Sequence, residues 1–236
     1  MRSPGGGAKR GRPPVKLEVV LHGILTVLSQ GCKWRAIDQP GAGWNAVYQY
    51  YWRWSLDGLW PLLWESCAPK LVGTKRFLDA THVKAHRCAT NARGGREHQA
   101  LGRTKGGFNT KLHAVVDPRG HVARLLLSAG HEADISHAQT ILEGVPAAMI
   151  VADKGYDSDP FRAWLRARGI QPCIPPRSNR RHPEKYSHSA YKKRHIVENF
   201  FERIKNYRRV ATRYDKLAIT YLGFVYLAVT VLNLRQ

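Results

Sequence analysis

Apolar residues recur at helical spacing between Val15 and Gln30, at Leu17, Val20, Leu21, Ile24 and Leu28, and Gly31 follows as a C-cap. That pattern predicts a first helix. After the turn-rich segment from Asp38 to Gly43, the stretch from Trp44 to Cys67 keeps helical spacing and carries Trp44, Tyr48, Tyr51, Trp54, Trp60 and Trp64. Aromatics so spaced usually fill a core, because stacking on bases would require them exposed. Residues 15–71 therefore read as a small helical domain of helix-turn-helix character.

The pattern changes at Val72. Lys75 to Thr81 reads as a short strand ending in an acid, Asp79, and His82 to Gly107 reads as a basic, glycine-bearing loop. Thr110–Val116 and His121–Leu127 are two apolar runs around Asp117-Pro-Arg-Gly120, the chemistry of a hairpin. A helix is expected from Ile135 to Glu143, then a strand Ala148–Ala152 that again ends in an acid, Asp153. Ser158-Asp-Pro160 offers cap and first-turn chemistry for a helix running to Arg168, and Pro172–Pro175 reads as a short strand. The order predicts an α/β domain over residues 72–236, a mixed sheet with helices on its faces.

Two helices are expected to close the chain. In the first, Tyr191 to Arg209, a turn of 100° per residue puts Tyr191, Arg194, Glu198 and Lys205 within roughly 60° of one another, opposite Val197, Phe200, Ile204 and Tyr207. Glu202 lies on the charged side too, so periodicity does not choose between the two acids. The second, Leu217 to Leu234, is apolar but carries Thr, Tyr, Gly and Asn, which suits a buried helix better than a membrane span.

Charge adds the partner. Lys and Arg number 38 against 17 acids in 236 residues, for a formal net charge of +21. Such an excess favours a polyanion, and nucleic acid is the obvious one. Residues 177–213 hold twelve Lys/Arg against three Glu, and residues 1–16 hold five basic residues and no acid. Residues 1–14 read as a flexible basic arm. Cys32, Cys67, Cys88 and Cys173 are far apart and read as free thiols of a reducing compartment, and no secretory signal is expected at Met1, which places the protein in the cytoplasm.

Candidate chemistry rests on three acids, Asp79 and Asp153 at strand ends and Glu198 on a helix. Convergent carboxylates in a basic protein require a compensating cation, and hard oxygen donors suit magnesium. Taken singly, Asp79 and Asp153 are more often strand-end turn residues; Asp157 and Asp159 read as caps, and Asp117 belongs to its turn. His82-x3-His86 has zinc-like spacing but no further ligand, and Lys105-Gly-Gly107 lacks the rest of a phosphate loop.

The stretches Thr104–Asp117, Val151-Ala-Asp153-Lys-Gly-Tyr-Asp-Ser158, Ile174-Pro-Pro-Arg-Ser-Asn179 and Tyr191–Lys216 resemble DDE transposases of bacterial insertion sequences, nearest the insertion-sequence-five family. Tyr191, Arg194, Glu198 and Lys205 match its Tyr-x2-Arg-x3-Glu-x6-Lys signature without a gap, which singles out Glu198 over Glu202. The resemblance implies a ribonuclease-H-like catalytic domain. In it Asp79, Asp153 and Glu198 hold two Mg2+ ions, replaceable by Mn2+, and Arg194 and Lys205 face DNA phosphates while Tyr191 shapes the site. Arg208, Arg209, Lys105 and Lys154 are further candidate DNA contacts. The implied activity is cleavage at the ends of an insertion sequence and joining of the 3′ hydroxyls to target DNA. Expected partners are double-stranded DNA, as inverted-repeat ends and as target, and further copies of the chain assembled on it in the bacterial nucleoid, with no membrane. Two departures stand out: the chain opens Met1-Arg-Ser-Pro where relatives commonly begin with an acidic, apolar helix, and Ala80 follows the first aspartate where they often have Ser or Gly. The rival readings are a repressor derived from a decayed transposase, and a nuclease of the same fold that cleaves without strand transfer.

Overall fold

The structure, a computed structural model, describes residues 15–38, 40–91 and 95–235; the basic arm of residues 1–14 lies outside them. Helix α1 (Leu17–Gln30) buries Val20, Ile24, Val27 and Leu28. It stops at Gly31, whose φ of 65° makes the left-handed cap while its N–H donates to Val27 O. A Cβ at Gly31 would also lie 2.8 Å from Arg208 Cβ, so a glycine is required there twice over. The aromatic stretch is two helices, α2 (Trp44–Leu56) and α3 (Leu59–Cys67), not one continuous helix. Gly58, at φ 72°, breaks it, because the left-handed conformation cannot continue a right-handed helix.

The strands are β1 (Lys75–Ala85), β2 (Gly102–Thr104), β3 (Gly107–Val116), β4 (Val122–Ala129), β5 (Met149–Val151), β6 (Gln171–Cys173) and β7 (Thr212–Arg213). They form one mixed sheet. β3 runs antiparallel to β1 on one edge and to β4 on the other, while β1, β5 and β6 lie parallel in that order. This is the ribonuclease-H-like arrangement implied by the resemblance. β1 does not end at Asp79 as expected: it runs on to Ala85, because β3 pairs with it as far as Lys84 and β7 pairs with Lys84 and Ala85. Part of the expected loop is thus strand, and Asp79 is mid-strand.

Helices α4 (Ala138–Leu142) and α5 (Asp159–Arg166) cover one face with Ile141, Leu142, Phe161 and Leu165 against Leu78 and Ile150. Ser158 precedes α5 but makes no capping hydrogen bond. The expected helix from Tyr191 to Arg209 is broken into α6 (His188–Tyr191), a 3-10 turn at Lys192–Arg194, α7 (His195–Lys205) and α8 (Arg208–Ala211). The chain leaves helical geometry at Tyr207 (φ −77°, ψ 107°) and turns α8 inward. The final helix, α9 (Ala218–Leu234), is buried as expected.

α1, α2, α3, α7 and α9 share one apolar core with the other face of the sheet, including Phe77 and Val83. Gly223 of α9 lets the Trp60 and Tyr51 rings approach: a Cβ there would lie 2.6 Å from Trp60 Cδ1. The change of pattern at Val72 is therefore a change of secondary structure within a continuous core. No helix among the described residues is long and apolar enough to cross a membrane.

Candidate active site

Strand register brings the two aspartates together. On the adjacent parallel strands β1 and β5, Phe77 pairs with Val151, so Asp79 and Asp153 each stand two residues beyond the same rung. Neighbouring strands lie about 4.8 Å apart, which sets the two acids side by side at the carboxyl end of β5. Alternation along β1 turns Phe77, Asp79, Thr81 and Val83 to the face that α7 covers, and Glu198 is in the first turn of α7.

Arg194 joins the third acid to the first. Its Nη1 donates to Asp79 Oδ2 at 2.7 Å and its Nη2 to Glu198 Oε1. Burial pushes the Asp79 carboxyl up to about 6; the Ala80 N–H and Arg194 pull against that shift, and Asp153 and Glu198 add to it. Burial acts against the charge of Arg194, yet Asp79, Glu198, Tyr191 and Asp153 outweigh it and raise its pKa. Three carboxylates thus sense one another around a single guanidinium. Beneath them lies Tyr156, wholly buried, with no hydrogen-bond partner for its hydroxyl among the described residues and its pKa raised by burial, then by Asp134, Asp79 and Asp153.

The other expected site residues divide. Lys205 does not face outward: its Nζ donates to Thr81 Oγ1 at 2.6 Å and to His82 O at 3.1 Å, fastening α7 to β1, and burial lowers its pKa. Arg209, expected at DNA, is buried. It makes two hydrogen bonds to Asp215, at 3.1 and 3.0 Å, among the rings of Trp34, Tyr214 and Phe224. The turn at Tyr207 rotates it inward, which a continuous helix would not. Arg208, Lys105 and Lys154 are exposed, Lys105 at the tip of the β2–β3 hairpin. Tyr191 is half-buried beside the Tyr186 ring, and Glu202 is exposed. His82 hydrogen-bonds Asn109 and His86 contacts Cys88, so the two histidines converge on no common ligand.

Sequence patterns missed the network that carries Asp153. Asp153 Oδ1 accepts the Gly155 N–H at 2.8 Å. Asp157, read as a cap, is instead a buried hub: it accepts from Arg162 Nε at 2.8 Å, Arg180 Nη1 at 2.7 Å and the Arg177 N–H at 2.9 Å. Burial alone would raise its pKa, but these donors hold it below the usual carboxylate range. Asp159 pairs with Arg180. Asp117 does belong to its turn, accepting from the N–H groups of Val72, Arg119 and His121. The matched Ile174-Pro-Pro-Arg-Ser-Asn179 stretch was a signal that Arg177 matters, but not of what it touches.

The donor set suits a divalent cation: three hard carboxylates, two of them already sharing a positive charge. With Arg194 between Asp79 and Glu198, no three His, Cys, Asp or Glu side chains among the described residues are gathered to hold an ion.

A mixed sheet in this strand order, with helices on both faces, is a ribonuclease-H-like fold. Residues 71–234 match the Transposase DDE domain family, and residues 1–64 match a family described as putative transposase of the IS4/5 family. This chain belongs to the DDE transposase family. It is 37% identical over 133 residues to the putative transposase for insertion sequence element IS6501 of Brucella ovis, covering 54% of this chain and 100% of that relative. It is 25% identical over 128 residues to the putative transposase for insertion sequence element IS402 of Burkholderia cepacia, covering 49% of this chain and 58% of that one. In fold it is similar to the piggyBac transposase in a cryo-EM structure of its synaptic complex with hairpin DNA, with a TM-score of 0.50 and 11% identity over 75% of this chain and 50% of that chain.

Proposed function

We propose that this chain cleaves phosphodiesters at the ends of an insertion sequence and joins the freed 3′ hydroxyls to target DNA, with Asp79, Asp153 and Glu198 as the catalytic acids. The observation that carries the proposal is the pairing of Phe77 with Val151, which levels two aspartates on neighbouring strands, together with the bridge from Arg194 to Glu198. Asp79, Asp153 and Glu198 would hold two Mg2+ ions. When bound, such ions activate the attacking oxygen and stabilise the leaving one. Hydrolysis and strand transfer are both in-line displacements at phosphorus, so one set of acids serves both.

The chain's own residues do the positioning. Asp79 is set to carry a proton below about pH 6 and to give it up above that, which makes its carboxylate available near neutrality. Arg194 neutralises Asp79 and Glu198 until DNA arrives, then turns to a phosphate. Lys205 fixes α7, and Glu198 with it, against β1. Lys154, beside Asp153, along with Arg208, Lys105 and Tyr191, supplies contacts to the DNA backbone. The helices of residues 15–71 would bind the element's ends, and copies of the chain would assemble on them.

The direct test is a donor-plus-target assay with DNA carrying the inverted repeats that flank the gene. A joined product in Mg2+ or Mn2+ is expected. Cleavage without joining would reduce the protein to a nuclease of this fold, and binding without either would mark it as a repressor.

A further inference from the structure

We infer that Arg177 is a positioning residue for Asp153, acting through the backbone of the loop that follows β5 and not through the carboxylate itself. The inference rests on the proposed role of Asp153.

Arg177 is exposed at the start of a basic loop, yet two of its side-chain nitrogens are committed. Nε donates to Lys154 O at 3.2 Å and Nη2 donates to Gly155 O at 2.9 Å. These carbonyls belong to the two residues directly after Asp153. The Gly155 N–H in turn donates to Asp153 Oδ1 at 2.8 Å, so the peptide unit that orients the carboxylate belongs to a residue Arg177 grips from its other end. A Cβ on Gly155 would lie 2.9 Å from that same oxygen, so a side chain at this position would crowd the carboxylate as it approaches the N–H. Arg177 is itself held from behind, its N–H donating to Asp157 Oδ2 at 2.9 Å, and Asp157 is fixed by Arg162 and Arg180. The chain of contacts runs from a buried, fully paired aspartate, through an exposed arginine, to a candidate catalytic one.

Geometry explains the residue type. A planar guanidinium can offer Nε and Nη2 to two adjacent carbonyls at once, and a lysine ammonium cannot hold that fork. Arg177 also lines, with Asp153, Lys154, Gly155, Ser178 and Asn179, an open recess of about 580 Å³. Its Nη1 makes no hydrogen bond among the described residues, so a passing DNA phosphate can meet the same arginine that sets the acid. Removal of groups that orient metal ligands typically lowers metal affinity about 10–100-fold.

The test uses full-length protein without DNA, titrated with Mn2+, on wild type, Arg177→Lys, Asn179→Ala and Asp153→Asn. Thermal unfolding of each variant confirms that it is folded. Arg177→Lys keeps the charge and is expected to weaken Mn2+ binding about tenfold or more. It should also speed amide hydrogen exchange in residues 153–158 and leave affinity for DNA within about twofold of wild type. Asn179→Ala, in the same recess but without bonds to those carbonyls, should leave Mn2+ binding unchanged. Wild-type Mn2+ binding and exchange in Arg177→Lys, with binding lost in Asp153→Asn, would overturn the inference alone. Mn2+ binding that survives Asp153→Asn would overturn the reading of Asp153 and the inference with it.

Discussion

Asp79 is half-buried and Asp157 is buried, and they are held in opposite ways. Around Asp157, both carboxylate oxygens are satisfied: two guanidinium groups and a backbone N–H converge on it, and its pKa is held down. Around Asp79, one guanidinium is shared with a second acid while a third stands alongside, and its pKa is pushed up to about 6. A satisfied network of the first kind fixes a loop. A carboxylate cluster short of positive charge, like the second, holds free energy that a bound cation can release. The difference separates an acid that fixes a loop, Asp157, from the acids proposed to form the site.

The largest stability change that would sharpen this contrast comes from Asp157→Ala. It strands the buried Arg162 and should cost about 3–5 kcal/mol in a denaturant titration. A loss under about 1 kcal/mol would show that Asp157 is no hub.

Asp79→Asn should do the reverse. With a folded pKa of about 6 against an ordinary value of 3.8, the folded state holds a proton that the unfolded state has released between those limits. Stability owed to this group is therefore highest below about pH 4 and is lost as pH rises through 6. The amide should gain about 1–3 kcal/mol at pH 7.5 and little at pH 4. A destabilised Asp79→Asn at pH 7.5 would erase the comparison.

A third change has the opposite pH sign. His113 is buried, its Nε2 within 2.8 Å of Ser128 Oγ, and burial lowers its pKa to about 4. Between 6.5 and 4 the unfolded state binds a proton that the folded state refuses, so this group's contribution falls as pH drops. His113→Gln should flatten the stability profile across that window by about 1–2 kcal/mol. The smallest effect is expected for Glu202→Gln. Glu202 is exposed and one turn from Glu198, so stability should change by less than about 0.5 kcal/mol and cleavage not at all.

Much of the fold was legible because it follows from apolar period and turn residues: α1 with its Gly31 cap, the β3–β4 hairpin around Asp117, and the buried α9. The far end of β1 was not, since His82-Val-Lys-Ala85 has little strand character alone and is held by β3 and β7, which are distant in sequence. Asp79 and Asp153 were legible as acids at strand ends and Glu198 from the signature, while the meeting of the two aspartates depends on the β1–β5 register, a tertiary fact. Lys205 and Arg209 sit differently from where a helical wheel puts them for one reason. A charge on a helical wheel looks solvent-facing until a turn such as that at Tyr207, or a neighbour such as Thr81, redirects it. The contacts of Arg177 and the hub role of Asp157 were not legible, because side chains reaching backbone carbonyls or N–H groups twenty residues away leave no periodic trace.

The central claim, that Asp79, Asp153 and Glu198 form one metal-dependent nuclease site, is tested most directly by Mg2+-dependent nicking of DNA carrying the flanking inverted repeats. Wild type should cut, and Asp153→Ala and Glu198→Gln should each lose cleavage while binding the DNA as wild type does. Cleavage that persists in either variant, or that needs no divalent metal, would contradict the account.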